Sequence, residues 1–212
     1  MQLGNFCIIE FRYPDKPIET APSVVAGLQT HDWIVQPKFD GWRTGIYLTN
    51  NEVSFITRVG NDLRNKIKSV QIPDSFAQII LSMNLPQQTV LDAEFIEPHT
   101  KNSCKLIIFD CLAWSGEWLN KMPFISRWNL CTNIKIPDND QVKLSEIYKD
   151  NFLSTFNKLK KKWIDNNKPK NHLFEGIVLR RKTGNLILSP RSCSKSPCML
   201  KLKFRDRGQI RF

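Results

Sequence analysis

The chain has 212 residues, 41% of them hydrophobic and 10% aromatic, which is enough for one substantial core and is not the composition of a disordered chain. Its 31 Lys and Arg against 20 Asp and Glu leave a net charge of +11, which suits a polyanionic partner such as nucleic acid and equally a merely basic soluble protein. No apolar run approaches the roughly 20 residues of a membrane span. The opening stretch, Met1 to Pro17, lacks the basic-then-apolar layout of a secretory signal. The six cysteines, Cys7, Cys104, Cys111, Cys131, Cys193 and Cys198, form no Cys-x-x-Cys pair, so neither a zinc ribbon nor a thioredoxin-type site is indicated. Together these features point to an intracellular, reducing compartment, cytoplasm or nucleoid, and a viral source is compatible with them.

In chain order, Ala21 to Gln29 is expected to form a short helix, and Trp33–Lys38, Arg43–Leu48 and Val53–Thr57 to form strands, the last two joined by a hairpin turn at Asn50-Asn51. Pro73-Asp74-Ser75 starts a helix with Phe76, Ile79, Ile80 and Met83 at helical spacing. Val90–Ile96 and Lys105–Leu112 have the apolar content of buried strands, Cys104 and Cys111 are expected as buried thiols, and Pro123–Cys131 reads as a short helix. Ser145 to Asn166 is expected as the longest helix, with Leu153, Phe156, Leu159 and Trp163 as its apolar stripe and Lys158, Lys160, Lys161 and Lys162 on the remaining surface. Such a lysine cluster is most often a solvated face and less often a nucleic-acid contact. Phe174–Arg181 and Leu200–Phe204 close the chain as strands, while Cys193 and Cys198 read as loop cysteines. Short strands with interspersed helices and no linker predict one α+β domain over residues 1–212, of largely antiparallel sheets flanked by helices.

The sharpest local signal is Lys38-Phe39-Asp40-Gly41-Trp42-Arg43, set where one predicted strand ends and the next begins. The glycine permits a tight turn or close backbone approach to a ligand. Arg43 offers a planar fork for phosphate or ribose. A free lysine, with a pKa of about 10.4, is a poor nucleophile at neutral pH, and burial or cationic neighbours expose its lone pair. Read alone, the segment fits a charged hairpin with a structural glycine as well as a reactive lysine.

Further segments follow in a fixed order: Thr57-Arg58-Val59-Gly60, Leu91-Asp92-Ala93-Glu94, Ile107-Ile108-Phe109-Asp110, Phe174-Glu175-Gly176-Ile177-Val178 and Leu200-Lys201-Leu202-Lys203. The ordered set, from about residue 20 to 204, resembles the covalent nucleotidyltransferase superfamily of ATP-dependent DNA ligases, RNA ligases and mRNA capping enzymes, and most resembles the adenylation domain of an ATP-dependent DNA ligase. The resemblance implies that Lys38 attacks the α-phosphate of ATP, expels pyrophosphate and carries AMP as a phosphoramidate. It implies that Lys201 and Lys203, alternating along one strand, neutralise charge growing on that phosphate. Glu175 is then the first candidate to hold Mg²⁺ (or Mn²⁺), with Glu94 as the second carboxylate and as an acceptor for the ribose hydroxyls. Phe109 would stack on adenine and Gln36 would meet the base. Arg43 and Arg58 would serve phosphate or ribose, Arg58 alternatively the 5′-phosphate of an acceptor strand. Arg127 resembles the arginine of the helix that follows in ligases. The expected partner is a nicked duplex, DNA in preference to RNA, with the protein acting as a monomer away from any membrane, in repair or replication.

Three departures and alternatives accompany this reading. Gln36 stands where DNA ligases frequently have Glu. Only Arg205 to Phe212 follows the last lysine motif, so no C-terminal OB-fold is expected within this chain, and a partner supplying one is a corresponding expectation. Glu175, where capping enzymes commonly have Asp, favours a ligase, yet an RNA ligase and a GTP-using capping guanylyltransferase stay open, as does a degenerate nucleic-acid-binding module without catalysis.

Overall fold

The computed structural model of the chain describes residues 11–28, 30–65, 70–97, 104–165, 173–189 and 194–204. Two antiparallel-rich sheets face each other, and the alternation of side chains along their strands sorts polar from apolar residues. The first sheet has the order β2-β12-β10-β3, from β2 (Lys16–Glu19), β3 (Trp33–Phe39), β10 (Phe174–Arg181) and β12 (Lys195–Lys203). The second runs β5-β4-β6-β7-β8, with β9 added beside β7. Its strands are β4 (Trp42–Thr49), β5 (Glu52–Thr57), β6 (Thr89–Ile96), β7 (Lys105–Trp114), β8 (Glu117–Trp118) and β9 (Val142–Leu144). A two-stranded ribbon, β1 (Tyr13–Pro14) with β11 (Leu188–Ser189), closes one end. Among the described residues only β2 on β12 and β9 on β7 pair in parallel, so the expected α+β class with largely antiparallel sheets is the one observed.

Each sheet buries its outer face under helices. On the first sheet, Val35, Ile177, Leu179 and Leu202 pack with Phe152, Phe156 and Leu159 of α4 (Phe152–Asp165) and with Val25 of α1 (Pro22–Ala26). Phe204 extends this core by packing its ring against Phe156, Trp163 and Phe174. On the second, Ile46, Leu91, Phe95, Leu106 and Ile108 meet Phe76 and Ile80 of α2 (Ser75–Ser82) and Phe124 and Trp128 of α3 (Phe124–Thr132). With a side-chain period of two, the intervening residues (Gln36, Lys38, Val178, Arg180 and Lys201 on one sheet, Arg43, Glu94 and Phe109 on the other) face inward and line one cavity between the sheets.

Most expected elements stand where their patterns put them. The Asn50-Asn51 turn has both residues at positive φ, 53° and 60°, the geometry of a type I′ hairpin. The long helix is a correction: it begins at Phe152 and not at Ser145. Ser145 continues beyond β9 with its N–H on Ile108 O at 2.8 Å, and Tyr148 bridges Val35, so sheet pairing claims the backbone that the helical pattern had been extended to. Asn151, at φ 48°, stands in a conformation no helix continues through, immediately before the helix. The last strand starts earlier than expected, at Lys195, which places Cys198 on β12 and not in a loop. Cys193, Cys7 and the expected helix end at Asn166 lie outside the described residues. Cys104 and Cys111 are buried, as expected, and so is Cys131. The exposed lysines of α4, Lys158, Lys161 and Lys162, ride on the helix that covers the first sheet's outer face, away from the cavity.

Candidate active site

Lys38 sits near the end of β3, opposite Gly176 of β10, which in turn pairs with Lys203 of β12. This row holds residues expected to do the chemistry. Glu175 accepts hydrogen bonds from both lysines, from Lys38 at Oε1 and from Lys203 at Oε2, the latter at 2.9 Å. Burial pushes the Glu175 carboxyl up, but the hydrogen bonds and charges of Lys38 and Lys203 outweigh it and hold its pKa below the usual value. The row exists because Gly176 has no side chain. A Cβ there would lie 2.2 Å from Leu202 O and 2.9 Å from Lys203 Cα. Gly41, in the turn after Lys38, is demanded in the same way: its Cβ would meet Phe95 O at 2.3 Å. Its N–H donates to Glu94 Oε1 at 3.1 Å.

The next row along the strands holds Gln36, Val178 and Lys201. Gln36 is buried, 2% exposed, and donates through Nε2 to Phe109 O at 3.2 Å, which leaves Oε1 as its acceptor. Phe109, half-buried, lines the cavity from the opposite sheet. Lys201 lies 3.9 Å from Glu19 on the neighbouring strand. Lys201 and Lys203 share one face of β12, but Lys201 lines the cavity while Lys203 reaches Glu175 at its edge. Glu94 faces them from β6. Burial raises its pKa to about 7, with Lys38 and Arg43 pulling it down and Asp92 pushing it up.

Arg43 lines the cavity with its guanidinium held by protein partners. Its fork grips the buried Asp92, Nε to Oδ1 at 3.0 Å and Nη2 to Oδ2 at 2.5 Å, and Nη1 donates to Asp15 O at 3.3 Å. It stacks over Tyr13 and Phe109 at 5.0 and 5.7 Å from their ring centres, so it forms part of the cavity wall behind the aromatic ring. Arg58 does not join the cavity. It is exposed and lines a neighbouring hollow with Gly41, Trp42 and Asn61, sharing Tyr13 and Arg43 as the common wall. Among the described histidines, His31 is exposed beside Asp32; His99 and His172 lie outside the described residues.

Sequence reasoning missed the buried support of this site. Asp110, 1% exposed, accepts from Arg127 Nε and Nη2 at 3.0 and 2.9 Å and from Arg180 Nη1 at 2.9 Å. Arg180 in turn lies 5.4 Å from the Phe109 ring centre and 4.8 Å from that of Phe124. The available signal was an aspartate inside an otherwise apolar strand, since a charge so placed requires buried partners. Tyr13 and Lys16, both lining the cavity, carried no motif at all.

A lysine pinned by a carboxylate and flanked by a second lysine, at the mouth of a cleft between two antiparallel sheets, defines a nucleotidyltransferase domain. The chain belongs to the mRNA capping enzyme catalytic-domain family, whose profile matches residues 9–204. Among solved structures its fold is similar to the ligase domain of M. tuberculosis LigD (TM-score 0.61, 17% identity, 88% of this chain and 58% of that one). It is similarly close to mycobacterial DNA ligase D complexed with ATP (0.62, 16%, 88% and 59%) and to the Chlorella virus DNA ligase–adenylate (0.52, 18%, 89% and 67%). The chain thus spans about three-fifths of the mycobacterial ligase domains it matches. No curated protein sequence matches it significantly. The chain is a nucleotidyltransferase domain resembling the adenylation domains of DNA ligases.

Proposed function

We propose that this domain is the catalytic core of an ATP-dependent polynucleotide ligase, with DNA as the preferred substrate, and that Lys38 carries AMP between ATP and a 5′-phosphate. The observation that carries the proposal is the row Lys38–Glu175–Lys203 at the mouth of a cavity whose walls supply an aromatic ring, Phe109, and a polar base contact, Gln36. Lys38 Nζ gives up its ammonium proton to solvent and attacks the α-phosphate, a P–N bond forms and the P–O bond to pyrophosphate breaks. Lys201 and Lys203 stabilise the charge that grows on the phosphate oxygens. AMP then passes to the 5′-phosphate of a nicked strand, and the adjoining 3′-hydroxyl displaces it. The Oε1 of Gln36 accepts from an exocyclic amine such as N6 of adenine, which supports ATP as the donor. Arg58, in its separate hollow, is assigned to the acceptor strand.

Among the described residues no group of three or more His, Cys, Asp or Glu forms a metal cage. Mg²⁺ needs none, because it keeps several waters and takes one or two carboxylates beside substrate phosphates. Glu175 and Glu94 fit that donor set and would hold it (or Mn²⁺), the ion supplying charge neutralisation at the phosphates.

The test is covalent labelling of the purified protein with α-labelled ATP and Mg²⁺, followed by joining of nicked DNA and nicked RNA duplexes side by side. A label that survives denaturation and is lost in Lys38→Ala supports the proposal; an unmodified chain that takes up no label from ATP refutes it. The family match to capping enzymes favours one second reading, a guanylyltransferase, and labelling from GTP instead of ATP selects it.

A further inference from the structure

Five cations line the cavity between the sheets: Lys16, Lys38, Arg43, Arg180 and Lys201. Four are matched to a carboxylate: Lys38 to Glu175, Arg43 to Asp92, Arg180 to Asp110 and Lys201 to Glu19. Lys16 is the exception; among the described residues it has no ion-pair partner. Its backbone is fixed, the N–H donating to Ser194 O at 2.9 Å, and β2 is hydrogen-bonded along the edge of β12. Lys16 is half-buried and lines the cavity from a strand fixed along β12.

The strand register says which end of the cavity it serves. From the chemical row (Lys38, Gly176, Lys203) the rows proceed to Gln36, Val178 and Lys201, then to Arg180 and Met199. Glu19 pairs with Lys201, and Lys16 lies three residues back along β2, opposite Lys195 and beyond the Met199 row. Lys16 thus stands at the end of the cavity remote from Lys38, with the Gln36 row lying between the two. We propose that Lys16 reads the purine of the bound nucleotide, its ammonium donating to a ring acceptor beside the group that Gln36 accepts from. On adenine this makes a matched pair: N6 donates to Gln36 Oε1, and the adjacent N1 or N7 accepts from Lys16 Nζ. An unpaired ammonium is suited to this, since it has no carboxylate to surrender when the base arrives, whereas each of the other four would have to give one up.

This inference rests on the nucleotide-binding reading and deepens it. Its test is equilibrium binding by calorimetry on the full chain, without turnover, using α,β-methylene-ATP, α,β-methylene-GTP and inorganic tripolyphosphate, for the unmodified protein, Lys16→Met and Lys16→Arg. A charge-assisted hydrogen bond lost to Met weakens the adenine analogue by about tenfold or more. Tripolyphosphate, having no base, shifts by less than twofold, and Arg recovers a good part of the loss. An equal loss for tripolyphosphate overturns the proposal, because Lys16 would then act as general positive charge; so does an unchanged affinity for the adenine analogue in Lys16→Met, or the absence of any nucleotide binding. If only the guanine analogue binds, the ATP reading fails by itself, and Lys16 is judged by the same ratio of base-bearing to base-free ligand measured with that analogue.

Discussion

Substituting Gly176 with Ala tests the geometry of the chemical row without touching any charged group. The added Cβ would lie 2.2 Å from Leu202 O, while close carbon–oxygen contacts settle at about 3.3 Å, so β12 must retreat from β10 by about 1 Å. The neighbouring Cα of Lys203, 2.9 Å away, is backbone too, and no side-chain rotation relieves the clash. The Lys203–Glu175 hydrogen bond of 2.9 Å would then stretch to about 4 Å, beyond hydrogen-bonding range, and the Phe204 N–H to Glu175 O bond at 3.0 Å weakens with it. Overpacking costs about 1–3 kcal/mol and a weakened hydrogen bond about 1 kcal/mol, so urea denaturation should show a loss of about 2–4 kcal/mol. A reactive group misplaced by about 1 Å loses on the order of 100-fold in rate, which single-turnover labelling from ATP would register. Gly27→Ala is the control: its Cβ has only Val24 O nearby, at 3.6 Å, and it should be neutral or slightly stabilising. A Gly176→Ala protein that labels at the unmodified rate with an unmoved urea midpoint would refute the reasoning.

Asp110→Asn leaves two buried guanidinium groups, those of Arg127 and Arg180, without their shared carboxylate, and should cost about 3–5 kcal/mol in urea denaturation; a loss below 1 kcal/mol would show that the network is dispensable. Glu94 has a folded pKa of about 7 against an ordinary 4.5, so the folded state binds the extra proton. Its contribution to stability is full below pH 4.5 and is lost as pH rises to about 7. In metal-free protein, Glu94→Gln should therefore remove a decline of at most about 3 kcal/mol across that window, and identical pH profiles for the two proteins would contradict this. Gln36→Leu removes both the donor to Phe109 O and the acceptor offered to the base, and should weaken base-dependent binding of ATP by about tenfold, read against tripolyphosphate, which should be unaffected.

Strands and helices with a strong internal period were legible, and Lys38, Glu175 and Lys203, singled out by motif, are residues that the fold brings into one row. Residues between the motifs were harder to read. Ser145 to Asn151 has enough polar and apolar spacing to continue a helix, but Tyr148 is claimed by Val35 through backbone pairing, a contact more than a hundred residues away in sequence that local pattern cannot register. The same holds for Arg43. Its planar fork was read as one for phosphate or ribose, and local pattern could not show that Asp92 of the adjacent strand grips it, because the cross-strand register brings the two within reach. Arg58 was grouped with the nucleotide residues by motif order, whereas its turn after β5 carries it into a separate hollow. Asp110 was recorded as the end of a strand motif, and its pairing with two arginines from α3 and β10 emerges only when the sheets pack.

The distribution of charge in the cavity bears on how a polyanion is received. A cavity lined with bare cations would repel itself and be poorly ordered before substrate arrives. Here Glu175 holds Lys38 and Lys203 in one line, Asp92 fixes Arg43, and Asp110 fixes Arg180 behind Phe109. The carboxylate beside Lys38 is partly exposed while those behind the aromatic wall are buried: the Glu175 side chain is 25% exposed, against 3% for Asp92 and 1% for Asp110. The two kinds of pair therefore do different things. Breaking a buried pair is strongly unfavourable, so Arg43 and Arg180 act as a fixed wall. A partly exposed pair is weaker and exchangeable, so Glu175 can yield its lysines to incoming phosphate oxygens. On the proposed reading, the same burial gradient that makes the wall rigid makes the reactive row replaceable, and Lys38 is held in position by a partner that the substrate can displace.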